Sequence, residues 1–313
     1  MVETAARSRL CGRAIGFWYM TRILVIGKSG QMAQAFAGLG IDDLYCAGRD
    51  EADLLDPQSL EKALKHHRPE IVINAGAYTA VDRAESEPDL CRALNVDGPR
   101  ELAGLCDAYG VPLIHLSTDC VFDGRKPTPY LPSDVTCPMG VYGQSKLDGE
   151  EAVRSVAARS IIVRVSWIFS HLASNFVATM LGLAGSRESV SVVNDQFGCP
   201  TYAPALAEAL VTISDCALRA DFQDWGIYHL AGAGEIDRAS MARLIFEVSA
   251  RHDGPCAEVN GIPTKAYPTP AQRPLNARLD MSDTERVFSV SLPDWRLGLE
   301  ETVRVLIEEF DTP

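Results

Sequence analysis

Arg22-Ile23-Leu24-Val25-Ile26-Gly27-Lys28-Ser29-Gly30-Gln31-Met32-Ala33 decides the fold. A short apolar run of strand type ends directly in a turn with two glycines, and a helical pattern starts at Gln31. In such a strand–turn–helix unit, a dinucleotide pyrophosphate rests against the turn. Gly27 permits the tight bend, Gly30 lets backbone approach the phosphates, and small Ala33 lets the helix pack on the strand. Gln31 and Met32 open that helix, whose first amides face the anion. A glycine pair alone is a weak signal, and any strand-to-helix turn could use one. The strand before it and the helix after it strengthen it.

Outward from this unit, short β-branched runs alternate with longer helical patterns. Strands are expected at Ile23–Ile26, Leu44–Ala47, Ile71–Asn74, Leu113–Leu116 and Ile161–Val165, and helices at Gln31–Leu39, Pro57–His67, Pro88–Tyr109 and Tyr142–Ala157. The rhythm predicts an α/β fold, a Rossmann-type doubly wound parallel sheet with helices on both faces. After Trp167 it breaks into helix-rich segments with loops rich in proline and glycine, notably 254–274, and one further clear strand, Gly226–Leu230. The expected division is a dinucleotide-binding domain over 20–169 with a returning segment near 203–230. A smaller C-terminal substrate-binding lobe takes 170–202 and 231–313. Residues 1–19 read as a disordered extension or a weak targeting segment before a natural start at Met20.

The second strand should end near the adenosine ribose, where an acidic residue binds a 2′-hydroxyl and an arginine accommodates a 2′-phosphate. The chain reads Ala47-Gly48-Arg49-Asp50 there, which favours NADPH, with NADH the alternative. Arg49 serves equally well as a solvated loop charge. Asp53 and Leu54 are expected beside the adenine, and Ala75-Gly76-Ala77 is small enough for the cofactor to pass over.

Composition excludes several classes. The chain has 313 residues and a formal charge of −13, an acidic surplus that argues against binding a nucleic-acid backbone. It has no apolar run of the roughly 20 residues that a membrane span needs. Nine cysteines, scattered and never spaced C-x-x-C, read as reduced thiols in a cytoplasmic protein.

The chemistry centres on Tyr142-Gly143-Gln144-Ser145-Lys146 and on Thr118, which follows the strand Leu113–Leu116. Residues four apart share a helix face, so Tyr142 and Lys146 can point together into a cleft at the carboxyl ends of the strands. Thr118 would polarise a ketone and Tyr142 deliver the proton. Lys146 would lower the phenol's pKa from about 10 and bind the ribose. For a lone Y-x-x-x-K the plainer reading, a half-buried aromatic and a solvated charge, would win. Coupled to the glycine turn and Thr118, it loses.

With these residues in hand, the chain resembles the extended short-chain dehydrogenase/reductases, and among them the dTDP-4-dehydrorhamnose reductase family. The resemblance runs from Met20 to Phe310. It is carried by Gly27–Gln31, Tyr78–Glu85, Ser117-Thr118-Asp119 with Val121-Phe122, Val141–Lys146, Arg164–Trp167, Asn194–Gly198 with Pro200-Thr201, and Tyr267–Pro270 leading to Arg273-Pro274. It implies NADPH- or NADH-dependent reduction of the 4-keto group of a nucleotide-sugar, dTDP-4-dehydro-L-rhamnose, to dTDP-L-rhamnose. By position, Thr118, Asp119, Trp167, Asn175, Arg273 and Asn276 would bind substrate, Arg273 near the diphosphate.

Three departures stand out. Cys120 replaces the usual tyrosine after Ser-Thr-Asp, leaving sugar specificity open. Ala277 replaces a usual serine. Ala35 stands where some members carry a magnesium-holding glutamate, so no metal and no magnesium-bridged dimer are expected; the chain is a monomer or a homodimer. Cys120 also stands where 4,6-dehydratases carry glutamate, which disfavours dehydration. Two alternatives stay open: an epimerase, which would retain tightly bound NAD, and a non-catalytic regulatory subunit resembling that of methionine adenosyltransferase. The joint presence of Thr118, Tyr142 and Lys146 weighs against the second.

Overall fold

The structure is a computed structural model that describes residues 21–310, so the extension expected over 1–19 lies outside the described residues. Six parallel strands form the central sheet: β1 (Ile23–Ile26), β2 (Leu44–Ala47), β3 (Ile71–Asn74), β4 (Leu113–Thr118), β5 (Ser160–Val165) and β6 (Gly226–His229). Their spatial order is β2-β1-β3-β4-β5-β6. The chain therefore steps from β1 outward to β2 and returns to β3 on the other side of β1. That reversal opens a crevice at the carboxyl ends of β1 and β3, where doubly wound sheets bind their ligands.

β1, β3, β4 and β5 are buried at every position, because helices cover both faces of the sheet. On one face α1 (Gln31–Ala37) packs with α2, the long helix Ala203–Ala217, around Met32, Phe36, Leu206 and Leu210. On the other, the helices Pro57–His67, Gly98–Ala108 and Val141–Val156 bury Leu60, Leu102 and Val153. Ala35, compared above with a magnesium-holding glutamate, points into the first of these clusters and is buried.

The helix expected over Pro88–Tyr109 is three consecutive pieces, Pro88–Arg92, a π turn at Ala93–Asp97, and Gly98–Ala108. The later part holds more strand than the single one expected. Ser189–Val193 pairs in parallel with Glu258–Ile262, inside the stretch read as loop. Ser189-Val190-Ser191-Val192 alternates outward and inward, Val190 and Val192 being buried, whereas Glu258-Val259-Asn260-Gly261 has little intrinsic strand preference and is held by its neighbour. A third apolar cluster, built on Phe169, Met180, Ile245 and Trp295, sits under these strands and the helices Phe176–Ala184, Arg238–Arg251 and Trp295–Phe310.

Candidate active site

The turn after β1 is shaped by a backbone that only glycine tolerates well. Gly27 has φ +121°, and a side chain there would meet the backbone of Ala75 and Gly76 at 3.6 Å. The turns after β1 and β3 thus face each other across the crevice. Gly30 is the N-cap of α1 with no side-chain cap, and a Cβ built on it meets nothing within 4 Å. This open, uncapped turn is a cradle that fits a dinucleotide pyrophosphate. Gln31 and Met32 could serve it only through their backbone. The Met32 side chain is in the core, and Gln31 Oε1 accepts from Ser170 Oγ at 2.9 Å and Asn175 Nδ2 at 3.1 Å, tying α1 to the second lobe.

Beyond β2, Arg49 is exposed and forms no ion pair or side-chain hydrogen bond among the described residues. Lys28, passed over in the sequence, packs against Gly48, its side chain 3.1 Å from where a Cβ would stand. Two cations therefore flank the expected ribose position. Asp53 accepts from Leu55 N at 2.9 Å and shapes its own turn, while Leu54 is buried against Gly76. Ala75, Gly76 and Ala77 stay partly exposed along the crevice.

Thr118 ends β4, and the phenol of Tyr142 lies close enough to its side chain for Thr118 to favour the ionised form. Thr118 Oγ1 in turn donates to Asp119 Oδ1 at 2.8 Å. Ser166 Oγ donates to the other oxygen of Asp119 at 2.7 Å. Burial raises the Asp119 carboxyl above its ordinary value against these hydrogen bonds. Burial also drives the Tyr142 phenol well above 10, with nearby Cys120 adding to the rise.

The expected lowering of Tyr142 by Lys146 is therefore corrected. The ammonium end of Lys146 turns to the strand instead, 2.7 Å from Leu116 O and 3.3 Å from His115 Nε2. Burial pushes this lysine down to about 8. Hydrogen-bond accounting agrees with that direction. Gly76 N–H donates to Asn74 Oδ1 at 3.1 Å, which leaves Asn74 Nδ2 as the donor facing His115 Nδ1 at 3.1 Å. His115, fully buried and held neutral, then carries its proton on Nε2, pointing at Lys146 Nζ. That geometry suits a neutral amine, a form that a value near 8 brings within reach of physiological pH.

The helix bearing Tyr142 and Lys146 is bolted in place by Glu150 and Asn95, which the sequence did not single out, together with residues of the matching stretches. Glu150 accepts from Ser117 Oγ and forms a two-point pair with Arg164, at 2.9 and 2.7 Å, both side chains at most 2% exposed. Glu85 Oε1 accepts from Val141 N at 2.9 Å, a carboxylate at the helix start where the backbone dipole favours it. Asn95, in the π turn, donates to Ser145 Oγ at 2.9 Å and accepts from Tyr78 N at 2.8 Å. A π turn in the middle of a helix is often found at functional sites, but its sequence, Ala93-Leu94-Asn95-Val96-Asp97, carries no local signal for it.

On the substrate side the expected residues divide. Trp167 faces the site with a backbone φ of +46°, a strained value for a bulky residue, and its indole lies so close to Gly198 that a Cβ there would come within 2.4 Å. Arg273 lies beside the site but is held by Asp82 at 2.9 Å and by Ala271 O at 3.0 Å. Asn175 and Asn276 make scaffold hydrogen bonds in this structure. Asn175 caps the helix Phe176–Ala184 and spends its amide on Ser170 O, Ala173 O and Gln31. Asn276 binds Lys126 O, Thr128 O and Arg278. Short-range polarity in the sequence cannot reveal that such groups are already occupied. Cys120 sits under Gly143, where a Cβ would strike its carbonyl oxygen at 2.3 Å, and burial pushes its thiol far up.

The profile of the RmlD substrate binding domain matches residues 20–307. A dTDP-4-dehydrorhamnose reductase of Sinorhizobium fredii is 43% identical over 289 residues, 91% of this chain and 96% of the relative. The chain belongs to the RmlD family. An Escherichia coli K12 reductase of the same name is 39% identical, covering 93% of this chain and 98% of that one. Among solved structures, the dTDP-4-dehydrorhamnose reductase of Bacillus anthracis in complex with NADP superposes with a TM-score of 0.83 at 29% identity, covering 90% of this chain and 98% of that one. A UDP-glucose 4-epimerase of Thermotoga maritima shares the fold at TM-score 0.75 but only 16% identity. Membership in the RmlD family places this chain with oxidoreductases, and no described helix is long and apolar enough to cross a membrane.

Proposed function

We propose that this protein reduces the 4-keto group of dTDP-4-dehydro-L-rhamnose to give dTDP-L-rhamnose, with NADPH as the donor and NADH as a poorer substitute. The observation that carries the reading is the closeness of the Tyr142 phenol to Thr118 at the carboxyl end of β4, beside the open turn at Gly27 and Gly30. NADPH, when bound, supplies a hydride to the carbonyl carbon. Thr118 and Tyr142 hold the ketone oxygen between two hydroxyls. Because burial keeps the phenol protonated, Tyr142 has its proton ready to deliver as negative charge grows on that oxygen. Asp119 anchors Thr118 from behind. Lys146, released from Leu116 O, would reach the cofactor ribose, and Lys28 and Arg49 would take its 2′-phosphate.

We read the sheet with its flanking helices as the dinucleotide-binding domain, and the third cluster as the lobe that carries Trp167 and Arg273 toward the sugar-nucleotide. Scattered cysteines, never spaced C-x-x-C, support a reading as reduced thiols in a cytoplasmic setting. The test is loss of NADPH absorbance on adding dTDP-4-dehydrorhamnose generated in situ, beside other keto-sugar nucleotides. Turnover only with a different nucleotide-sugar would overturn the substrate. No consumption of NADPH or NADH with any of them would overturn the reaction.

A further inference from the structure

Arg238 is absent from every motif read in the sequence, yet it stands in the site. Its guanidinium carbon lies 3.4 Å from the centre of the Trp167 ring and 4.9 Å from that of Phe176, so the plane is pinned against aromatic faces. Among the described residues this side chain donates no hydrogen bond. Arg238 is only partly exposed, and burial pulls its guanidinium down to about 10. Its N–H donors are thus partly desolvated and have no protein acceptor among the described residues, which leaves them open to water or to an anionic ligand.

The surroundings say what kind of ligand. Asp119 and Cys120 lie within electrostatic reach, and so does a second guanidinium, Arg273, which repels the first. Arg273 is also within reach of Cys120, so the two cations flank the same turn. Asp119 is not the missing acceptor, since its carboxylate oxygens take hydrogen bonds from Thr118 and Ser166. Two guanidiniums brought near one another, Arg238 without a protein acceptor and Arg273 held by Asp82 and Ala271 O, suit an anion carrying more than one charge, and each planar fork matches phosphate oxygens.

We propose that Arg238 binds the diphosphate of the nucleotide-sugar, sharing it with Arg273 across the Cys120 turn. The inference rests on the reading of the site as one for a nucleotide-linked keto-sugar. Trp167 and Phe176 hold the guanidinium plane ready, so little freedom is lost when the phosphates arrive. Arg273 is then shared between Asp82 in the free protein and the substrate in the complex.

The experiment compares full-length wild type with Arg238→Met, which keeps the apolar stem but not the charge, and with Arg238→Lys. Calorimetry measures binding of dTDP and of thymidine, and steady-state kinetics measure KM for the keto-sugar nucleotide. Arg238→Met should weaken dTDP binding by about 10- to 100-fold, the size of a lost charge-assisted hydrogen bond. KM should rise by a similar factor, while thymidine and NADPH binding hold and Arg238→Lys recovers part of the loss. Binding of dTDP within about twofold of wild type, or an equal loss for dTDP and thymidine, would overturn the proposal. If Arg238→Met does not fold, Arg238→Gln carries the same comparison. Wild type that turns over the keto-sugar while Arg238→Met binds dTDP normally sinks this inference alone. Wild type that neither binds dTDP nor consumes NADPH sinks the underlying reading.

Discussion

Replacing Tyr142 by phenylalanine removes one hydroxyl and leaves the ring. Thr118 keeps Asp119 as its acceptor at 2.8 Å and the Cys120 amide as a donor at 3.2 Å, so no buried group is stranded. Lys146 keeps both of its anchors, Leu116 O and His115, neither of which involves the phenol. Stability should therefore change by less than about 1 kcal/mol, the net worth of one hydrogen bond. NADPH affinity should hold for the same reason. What is lost is the proton donor. A positioned general acid is worth about 10²- to 10⁴-fold, or roughly 3 to 5 kcal/mol of barrier. Single-turnover oxidation of bound NADPH with saturating keto-sugar reads that loss, and fluorescence titration with NADPH reads the binding. A rate loss below about tenfold, or an affinity that falls in step with the rate, would refute the assignment of Tyr142 as the acid.

Lys146→Met should weaken NADPH binding and slow turnover, and it should also change how stability depends on pH. The folded value of about 8 lies below the ordinary 10.5, so the unfolded chain holds the extra proton between them. Relative to Lys146→Met, wild type should gain stability as pH rises from about 8 towards 10.5 and lose it as pH falls back through 8, with a slope of at most about 1.4 kcal/mol per pH unit. Parallel urea curves for the two proteins across that range would contradict the burial of the amine. Arg49→Asp should raise KM for NADPH about 10- to 100-fold and leave NADH little affected; an unchanged preference would mean that the ribose end lies elsewhere. Glu150→Ala strands Arg164, itself 2% exposed, and should cost about 3 to 5 kcal/mol in urea unfolding. A cost under about 1 kcal/mol would show that the bond from Arg164 to Pro132 O at 3.3 Å, and the face of Phe122, are enough.

The strands of the sheet were legible because each is a short apolar run closed by a turn, a pattern set by neighbours in sequence. β1, β2 and β3 begin and end where that pattern does. Tyr142 and Lys146 were legible too, because four residues is a helix repeat. The strand Glu258–Ile262 was not, since it exists only through its partner Ser189–Val193. Nor was the true setting of Lys146, which depends on Asn74 and His115 from two other strands.

By itself, then, the chain's order of residues determined the doubly wound sheet, the glycine turn at Gly27 and Gly30, and the placing of Thr118 near Tyr142. Those follow from local periodicity and from where strand ends must lie. Tertiary structure alone decided which polar groups remain free for a ligand. It occupied Asn175 and Asn276, turned Lys146 inward, held the Tyr142 phenol protonated and left Arg238 without an acceptor among the described residues. Whether a donor is satisfied or desolvated depends on groups far apart in sequence, and only folding brings those together.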